Sequence, residues 1–121
     1  MTFDEIWRRQ LAFNERFFSE SGKPLGELSS ADVSRWTKDF VLHITEELHE
    51  LLRETSWKMT HRPDASRAVR ANVLEEWIDC FKFLLGLAQV WGFTVEDIEA
   101  EFLRKSAIVE ARLKNRKRSD I

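Results

Sequence analysis

The fold is decided by the stretch WIDCFKFLLGLAQVW at positions 77–91. In a helix built from these residues, apolar side chains occupy almost every side, and Asp79 is one of the few charged exceptions. Such a helix belongs at the centre of a bundle or in an interface between subunits. Gly92 predicts the end of the helix, and Asp64 is a suitable N-cap for its start, after the breaking sequence at 61–63.

Two helices are predicted before this stretch. Apolar residues at near-helical spacing predict the first over about 3–20, where Thr2 and Glu5 have the pattern of a capping box. The second is predicted over about 31–56, with a serine at 29–30 as its N-cap and one apolar stripe along its length.

A fourth helix is predicted after Gly92. Thr94 and Asp97 indicate its start, its apolar positions continue to Val109, and we expect the basic tail at 114–118 to fray. No repeat or linker divides residues 1–121, so the sequence predicts a single all-α domain. The expected architecture is an antiparallel four-helix bundle with short connections.

Composition argues against several classes of protein. Hydrophobic residues make up 43% and charged residues 33%, which is typical of a globular chain and not of a disordered one. The net charge of -2 argues against nucleic acid as the main partner, since phosphate binders usually carry a basic excess. The longest uncharged run, 83–95, is shorter than the about 20 apolar residues that cross a bilayer, so we expect no membrane span. A lone cysteine, Cys80, and an N-terminus without a signal segment favour a cytoplasmic location.

Acidic residues occur in pairs on the second and third predicted helices. Glu46, Glu47 and Glu50 are on the second, and Glu76 and Asp79 are on the third. Residues three apart share one face of a helix, so each helix offers two carboxylates that point the same way. Asp79 is the most informative, because burying a lone carboxylate among apolar residues is costly.

If the two acidic pairs face each other, their charges repel. Each close pair costs about 4 kcal/mol at an effective dielectric constant of about 20, and a divalent cation removes that cost. Oxygen ligands favour Mg²⁺ or Mn²⁺ over Zn²⁺, and a bound Mg²⁺ commonly serves phosphate chemistry. The alternative is that the acids form the solvated side of an amphipathic helix in a non-catalytic interaction module.

The acidic pattern also resembles a known signature. Glu46-Glu47-x-x-Glu50, followed after 25 residues by Glu76-x-x-Asp79, is similar to the EExxE and ExxD motifs of the all-α nucleoside triphosphate pyrophosphatases. That superfamily contains the MazG-like enzymes and the dimeric dUTP diphosphatases. The segments 54–58 and 73–85, with Lys105 and Arg112 on the last helix, look most like the dUTP diphosphatase branch.

The resemblance implies hydrolysis of a nucleoside triphosphate to a monophosphate and pyrophosphate. It implies that Glu47, Glu50, Glu76 and Asp79 hold Mg²⁺, and that Glu47 or, as a second candidate, Glu46 activates the attacking water. The expected substrate is dUTP first and dCTP or a modified nucleotide next. Hydrolysis of such nucleotides implies a role in cleansing the nucleotide pool. Asparagines are common in the dUTP diphosphatase branch near the positions of Ser106 and Val109, so the choice of base stays open.

Helix one carries a second candidate site. Gln10 and Asn14 lie on an otherwise aromatic stripe, and an amide presents both a donor and an acceptor to the edge of a nucleobase. The resembling dUTP diphosphatases also use amides of the first helix for uracil. The alternative is that both side chains satisfy backbone groups or face solvent.

Four further residues are candidates for binding the nucleotide. Trp57 and Lys58 either stack on and bind it or simply end helix two. Lys105 and Arg112 either point inward toward a triphosphate or extend from the bundle edge into solvent. We interpret the three histidines as structural or surface residues, since no metal-ligand spacing connects positions 43, 49 and 61.

The aromatic content predicts self-association. Five Trp and nine Phe are many for 121 residues, and helix three is too apolar for one thin bundle to cover. We therefore expect a homodimer or a homotetramer, in which each site can draw residues from two subunits.

Overall fold

The computed structural model describes residues 1–55, 57 and 67–119. These residues form four α-helices and one short 3-10 helix, and no strand occurs among them. The all-α class is therefore confirmed. The α-helices are α1 at Phe3–Glu20, α2 at Ser30–Arg53, α3 at Arg67–Val90 and α4 at Val95–Ser119, and the 3-10 helix is Leu25–Glu27.

Three of the helices begin with a reciprocal capping box. The side-chain oxygen of the N-cap residue accepts a hydrogen bond from the backbone N–H three residues later, and the acidic side chain of that later residue accepts one from the backbone N–H of the N-cap residue. The sequence predicted the box of α1, the start of α4 at Thr94 and Asp97, and a serine cap for α2. The three pairs are Thr2 with Glu5, Ser29 with Asp32, and Thr94 with Asp97.

Two predicted helix ends differ from the structure, and one start cannot be compared. Helix α2 ends at Arg53, before the expected position 56. Helix α4 continues to Ser119 through the basic tail that we expected to fray, because Lys and Arg are good helix formers and favour the negative end of the helix dipole. The predicted cap Asp64 lies outside the described residues.

A buried carboxylate fixes the connection between α1 and α2. Asp32 is buried and accepts hydrogen bonds from Lys23 in the connection, from the backbone of Ser29 and from Arg35. The Lys23 ammonium, with the Ser29 and Arg35 donors, holds the pKa of Asp32 well below its usual range. The carboxylate thus caps α2 and ties its first turn to the preceding loop.

Helices α2 and α3 lie antiparallel along each other. Near the start of α2, Thr37 accepts a hydrogen bond of 2.9 Å from the indole of Trp91, just past the end of α3. Just past the end of α2, Glu54 accepts one of 3.1 Å from Asn72 near the start of α3. The start of α2 thus pairs with the end of α3 and the end of α2 with the start of α3, so residues in the middle of the two helices meet.

Two apolar clusters hold the helices together. One joins α1, α3 and α4 through Trp7, Leu85 and Val95. The other joins α1, α2 and α3 through Phe18, Phe40 and Val90. Most of the packing is between α2 and α3, with α1 resting on α3.

Helix α4 turns away from the other three. Gly92 adopts a left-handed conformation with φ of 72°, which ends α3, and α4 then leaves the direction of α3 by 108°. In the single chain α4 does not run antiparallel beside α3, so the four-helix form of the bundle stays a prediction. Within the described part, no single helix has both the length and the apolarity to cross a bilayer, although α3 and α4 taken together pass that test.

Gly86 allows the closest approach between helices. A Cβ atom at this position would lie 3.0 Å from the Phe40 ring and 3.1 Å from the amide nitrogen of Asn14. A glycine inside a helix is about 1 kcal/mol less favourable for helix formation than alanine. The close packing at Gly86 explains why this position lacks a Cβ atom despite that cost. Gly86 thereby brings Phe40 and Asn14 together on one side of α3.

Replacing this glycine should therefore destabilise the protein. Overpacking typically costs about 1–3 kcal/mol, which exceeds the helix-propensity gain of about 1 kcal/mol, so Gly86→Ala should lower the free energy of unfolding by about 1 kcal/mol. Denaturant titration followed by circular dichroism measures this. Gly26→Ala is the control, because a Cβ there meets nothing within 4 Å and should leave stability nearly unchanged. A Gly86→Ala protein as stable as the wild type would contradict the close packing.

Candidate functional site

The antiparallel contact brings acidic side chains of α2 and α3 together. One carboxylate oxygen each from Glu47, Glu50 and Glu76 lies within 4.8 Å of the other two. All three residues are half-buried. Three of the four predicted metal ligands therefore converge, and we call these three residues the acidic cluster.

Two oxygens of the acidic cluster have no hydrogen-bond donor. Oε2 of Glu47 and Oε2 of Glu76 are both buried, and neither has a partner in the described part of the chain. A buried carboxylate oxygen without a donor is costly. A divalent cation would supply the missing positive charge, and oxygen-only ligands suit Mg²⁺ or Mn²⁺.

Crowding changes the acidity of the cluster. Burial first, and then the negative charges of Glu50 and Asp79, together raise the pKa of Glu47 to about 7. Burial and the neighbouring Glu50 also raise the pKa of Glu76. The Cys80 thiol beside the cluster has a raised pKa too, mainly through burial, so it stays neutral and is a poor ligand for Mg²⁺.

The fourth predicted ligand, Asp79, stands next to the cluster. It is half-buried, and its charge acts on both Glu47 and Glu76, although its oxygens are not part of the close group of three. Asp79 also lines a neighbouring cavity. Glu46 is exposed and does not belong to the acidic cluster.

A cavity of about 410 Å³ adjoins Asp79 between α1, α2 and α3. Its walls are mainly aromatic, and the rings pack against one another: the ring centroids of Phe40 and Phe83 are 5.9 Å apart, and Phe17 packs edge-on against Trp36 at 6.0 Å. We call it the aromatic cavity. It is lined by Phe13, Phe17, Trp36, Phe40 and Phe83 and by the polar residues Gln10, Asn14, Asp39, His43, Asp79 and Lys82.

The two predicted amides are buried and line this cavity. Gln10 donates to Asn14 over 3.4 Å, and Asn14 donates to Gln89 over 2.6 Å. Gln89 in turn donates to the backbone carbonyl of Trp7 over 3.2 Å. Gln10 and Asn14 thus bond to side-chain amides, and not to backbone groups or solvent as the alternative had it, and they also face the cavity. Gln89 was missed, and its signal was a polar residue inside the apolar stretch 77–91.

His43 is an exposed residue, in agreement with its interpretation as structural or surface, and it also lines the cavity. Its ring stacks on Phe83 at 5.2 Å with an angle of 7° between the planes, and its Nε2 lies 3.5 Å from a carboxylate oxygen of Asp39. The signal was available in the spacing. Trp36, Phe40, His43, Glu47 and Glu50 repeat every three or four residues and so share one face of α2.

Three further predicted residues that the structure describes, Trp57, Lys105 and Arg112, do not line the aromatic cavity in the single chain. Lys105 and Arg112 are exposed on α4, and neither lines the aromatic cavity. Trp57 is 53% exposed, and Lys58 lies outside the described residues.

Comparison with the models of known protein families, with curated proteins and with solved structures found no match to this chain.

The raised pKa of Glu47 predicts how stability depends on pH without metal. Its pKa is about 7 in the folded protein against an ordinary value of 4.5, so folding is favoured while the carboxyl is protonated. That contribution is fully present below the ordinary value and is lost as the pH rises through about 7. In EDTA, the thermal midpoint should therefore fall over this pH range.

Two matched variants check the source of this decline by thermal unfolding. Glu47→Gln should reduce the decline, because glutamine stays neutral, whereas Glu46→Gln should keep it, because Glu46 is exposed. Equal pH profiles for the wild type and Glu47→Gln would contradict the assignment.

Proposed function

We propose that this protein is a magnesium-dependent nucleoside triphosphate pyrophosphohydrolase. It would convert a deoxynucleoside triphosphate, of the dUTP or dCTP type, to the monophosphate and pyrophosphate. The observation that carries the proposal is the pair of buried, donor-free oxygens of Glu47 and Glu76 next to an aromatic cavity. The resemblance of the acidic motifs to the all-α pyrophosphatases agrees with this function.

The acidic cluster and Asp79 are the proposed metal site. Glu47, Glu50, Glu76 and Asp79 supply only oxygen atoms, and they are crowded enough for their mutual repulsion to favour a cation. When bound, Mg²⁺ would neutralise phosphate oxygens and make water more acidic. Mn²⁺ is the alternative metal.

Glu47 is the proposed residue that orients and deprotonates the attacking water. Its pKa is raised to about 7, so its carboxylate form is a stronger base than an ordinary glutamate and can take a proton from water near neutral pH. Glu46 is the second candidate, and its exposure argues for a smaller role.

The aromatic cavity is the proposed site for the base and sugar. Its rings offer apolar faces on which a planar base can stack, and Gln10 and Asn14 offer amide groups to the edge of the base. Asp79 borders both the cavity and the cluster, so a nucleotide whose base lies in the cavity extends its phosphates toward the acids.

Cations are needed at the far end of the triphosphate. We propose Lys58, Lys105 and Arg112 for this role, with Trp57 packing against the nucleotide. Because Lys105 and Arg112 are remote from the cavity in the single chain, this role requires them to act on the site of another subunit. Cytoplasmic nucleotides, and neither nucleic acid nor membrane, are the proposed partners.

The test is pyrophosphate release from a panel of deoxyribonucleoside and ribonucleoside triphosphates, with Mg²⁺ and with EDTA. We expect Mg²⁺-dependent release from one or two bases only. Glu47→Gln should lower kcat by a factor of about 100 to 10,000, which is the usual contribution of a general base. Glu46→Gln is the matched control on the neighbouring position and should retain most of the activity.

Two results would contradict the proposal. One is folded protein with no release from any member of the panel, which would favour a non-catalytic interaction module. The other is release that persists in EDTA, because the acidic cluster would then have no catalytic role.

A further inference from the structure

An apolar groove lies between α3 and α4, away from the aromatic cavity. Its volume is about 750 Å³, and α3 contributes Leu84 while α4 contributes Ile98, Phe102 and Leu103. Leu84 is 52% exposed, and Phe102 and Leu103 are each 70% exposed. A concave surface this apolar is typical of an interface with another protein.

The apolar stripe of α4 continues beyond the cover of its own chain. Val95 is buried and Ile98 is half-buried in the cluster with α1 and α3. The same stripe then continues through Phe102, Val109 and Leu113, of which the last two are 53% and 54% exposed. Isolated helices are marginally stable in water, so the distal half of α4 needs a surface to pack against.

The charges of α4 are segregated along its length. Acidic residues concentrate in the first half, at Glu96, Asp97, Glu99 and Glu101, with Arg104 and Lys105 as the basic exceptions. Basic residues dominate the second half, with Glu110 as the exception, and they include Arg112 and Lys114. Two α4 helices packed antiparallel would place the acidic half of each beside the basic half of the other. A parallel pair would oppose like charges.

We propose that the groove binds the distal half of α4 from a second copy of this chain. The exchange is reciprocal, as a two-fold axis requires, so each copy fills the groove of the other and the two α4 helices run antiparallel. Phe102 at the groove of one copy then meets the stripe of Val109 and Leu113 from the other. The proposal stands on the surface of α3 and α4 and does not depend on the pyrophosphohydrolase activity.

The first test is the mass in solution, by light scattering coupled to size exclusion. The wild type should have at least twice the 14.3 kDa mass of the chain at micromolar concentration. Leu113→Glu should shift the mass toward that of one chain, and helical circular dichroism should fall by no more than the distal half of α4 contributes. Leu42→Glu is the matched control, because Leu42 is an equally exposed leucine on α2, at 59%, outside the groove.

The second test examines the antiparallel arrangement by charge exchange. One variant carries Glu99→Lys and Glu101→Lys, and the other carries Arg112→Glu and Lys114→Glu. Each alone should associate at least about tenfold more weakly than the wild type, because like charges then face each other. An equimolar mixture should restore association, since both junctions of the mixed dimer are again of opposite charge.

Three results would overturn the proposal. A monomeric wild type would do so, whether or not it binds lipid vesicles or another protein. A Leu113→Glu protein that associates as strongly as the wild type would exclude the groove. Charge variants that do not associate when mixed would exclude the antiparallel pairing.

Discussion

The antiparallel contact between α2 and α3 is the interaction on which the rest of the structure depends. It aligns Phe40 with Phe83 at one level and Glu47 with Glu76 at another. The aromatic level provides the packing free energy, and the acidic level opposes it, because close like charges repel by about 4 kcal/mol at an effective dielectric constant of about 20. A fold selected for stability alone would not place these carboxylates together. The packing of α2 on α3 holds them together against their repulsion, which a divalent cation at the proposed site would relieve.

One helical face joins the two halves of the candidate site. Along α2, aromatic residues are followed by His43 and then by the acids, and α3 repeats the change in the opposite direction from Phe83 through Asp79 to Glu76. A ligand lying along this face meets an apolar environment at one end and a strongly acidic one at the other. A nucleotide with a bound cation has the same polarity, since its base is planar and weakly polar and its phosphates carry the metal. One face of α2 and α3 therefore offers both surfaces that the proposed substrate needs.

The elements of the fold were predictable because their signals are local. The capping pair Thr94 with Asp97 and the left-handed Gly92 depend on a few neighbouring residues. In the structure α3 ends just before Gly92 and α4 begins just after Thr94. The convergence of the acids was predictable because a fixed spacing puts carboxylates on one face. The aromatic cavity, the Gln89 hydrogen bonds and the place of His43 were missed, since they depend on which faces of three helices meet. The direction of α4 was missed for the same reason: periodicity defines an apolar stripe but not what covers it.

The proposed function depends on a divalent cation site at the α2–α3 contact. Titration of metal-free protein with Mn²⁺, followed by the electron paramagnetic resonance signal of the free ion, tests it most directly. We expect saturable binding that Mg²⁺ reverses, that weakens at least about tenfold in Glu76→Gln, and that is unchanged in Glu46→Gln. Wild-type protein that binds no Mn²⁺, or that binds it no more tightly than Glu76→Gln does, would contradict the proposed cation site.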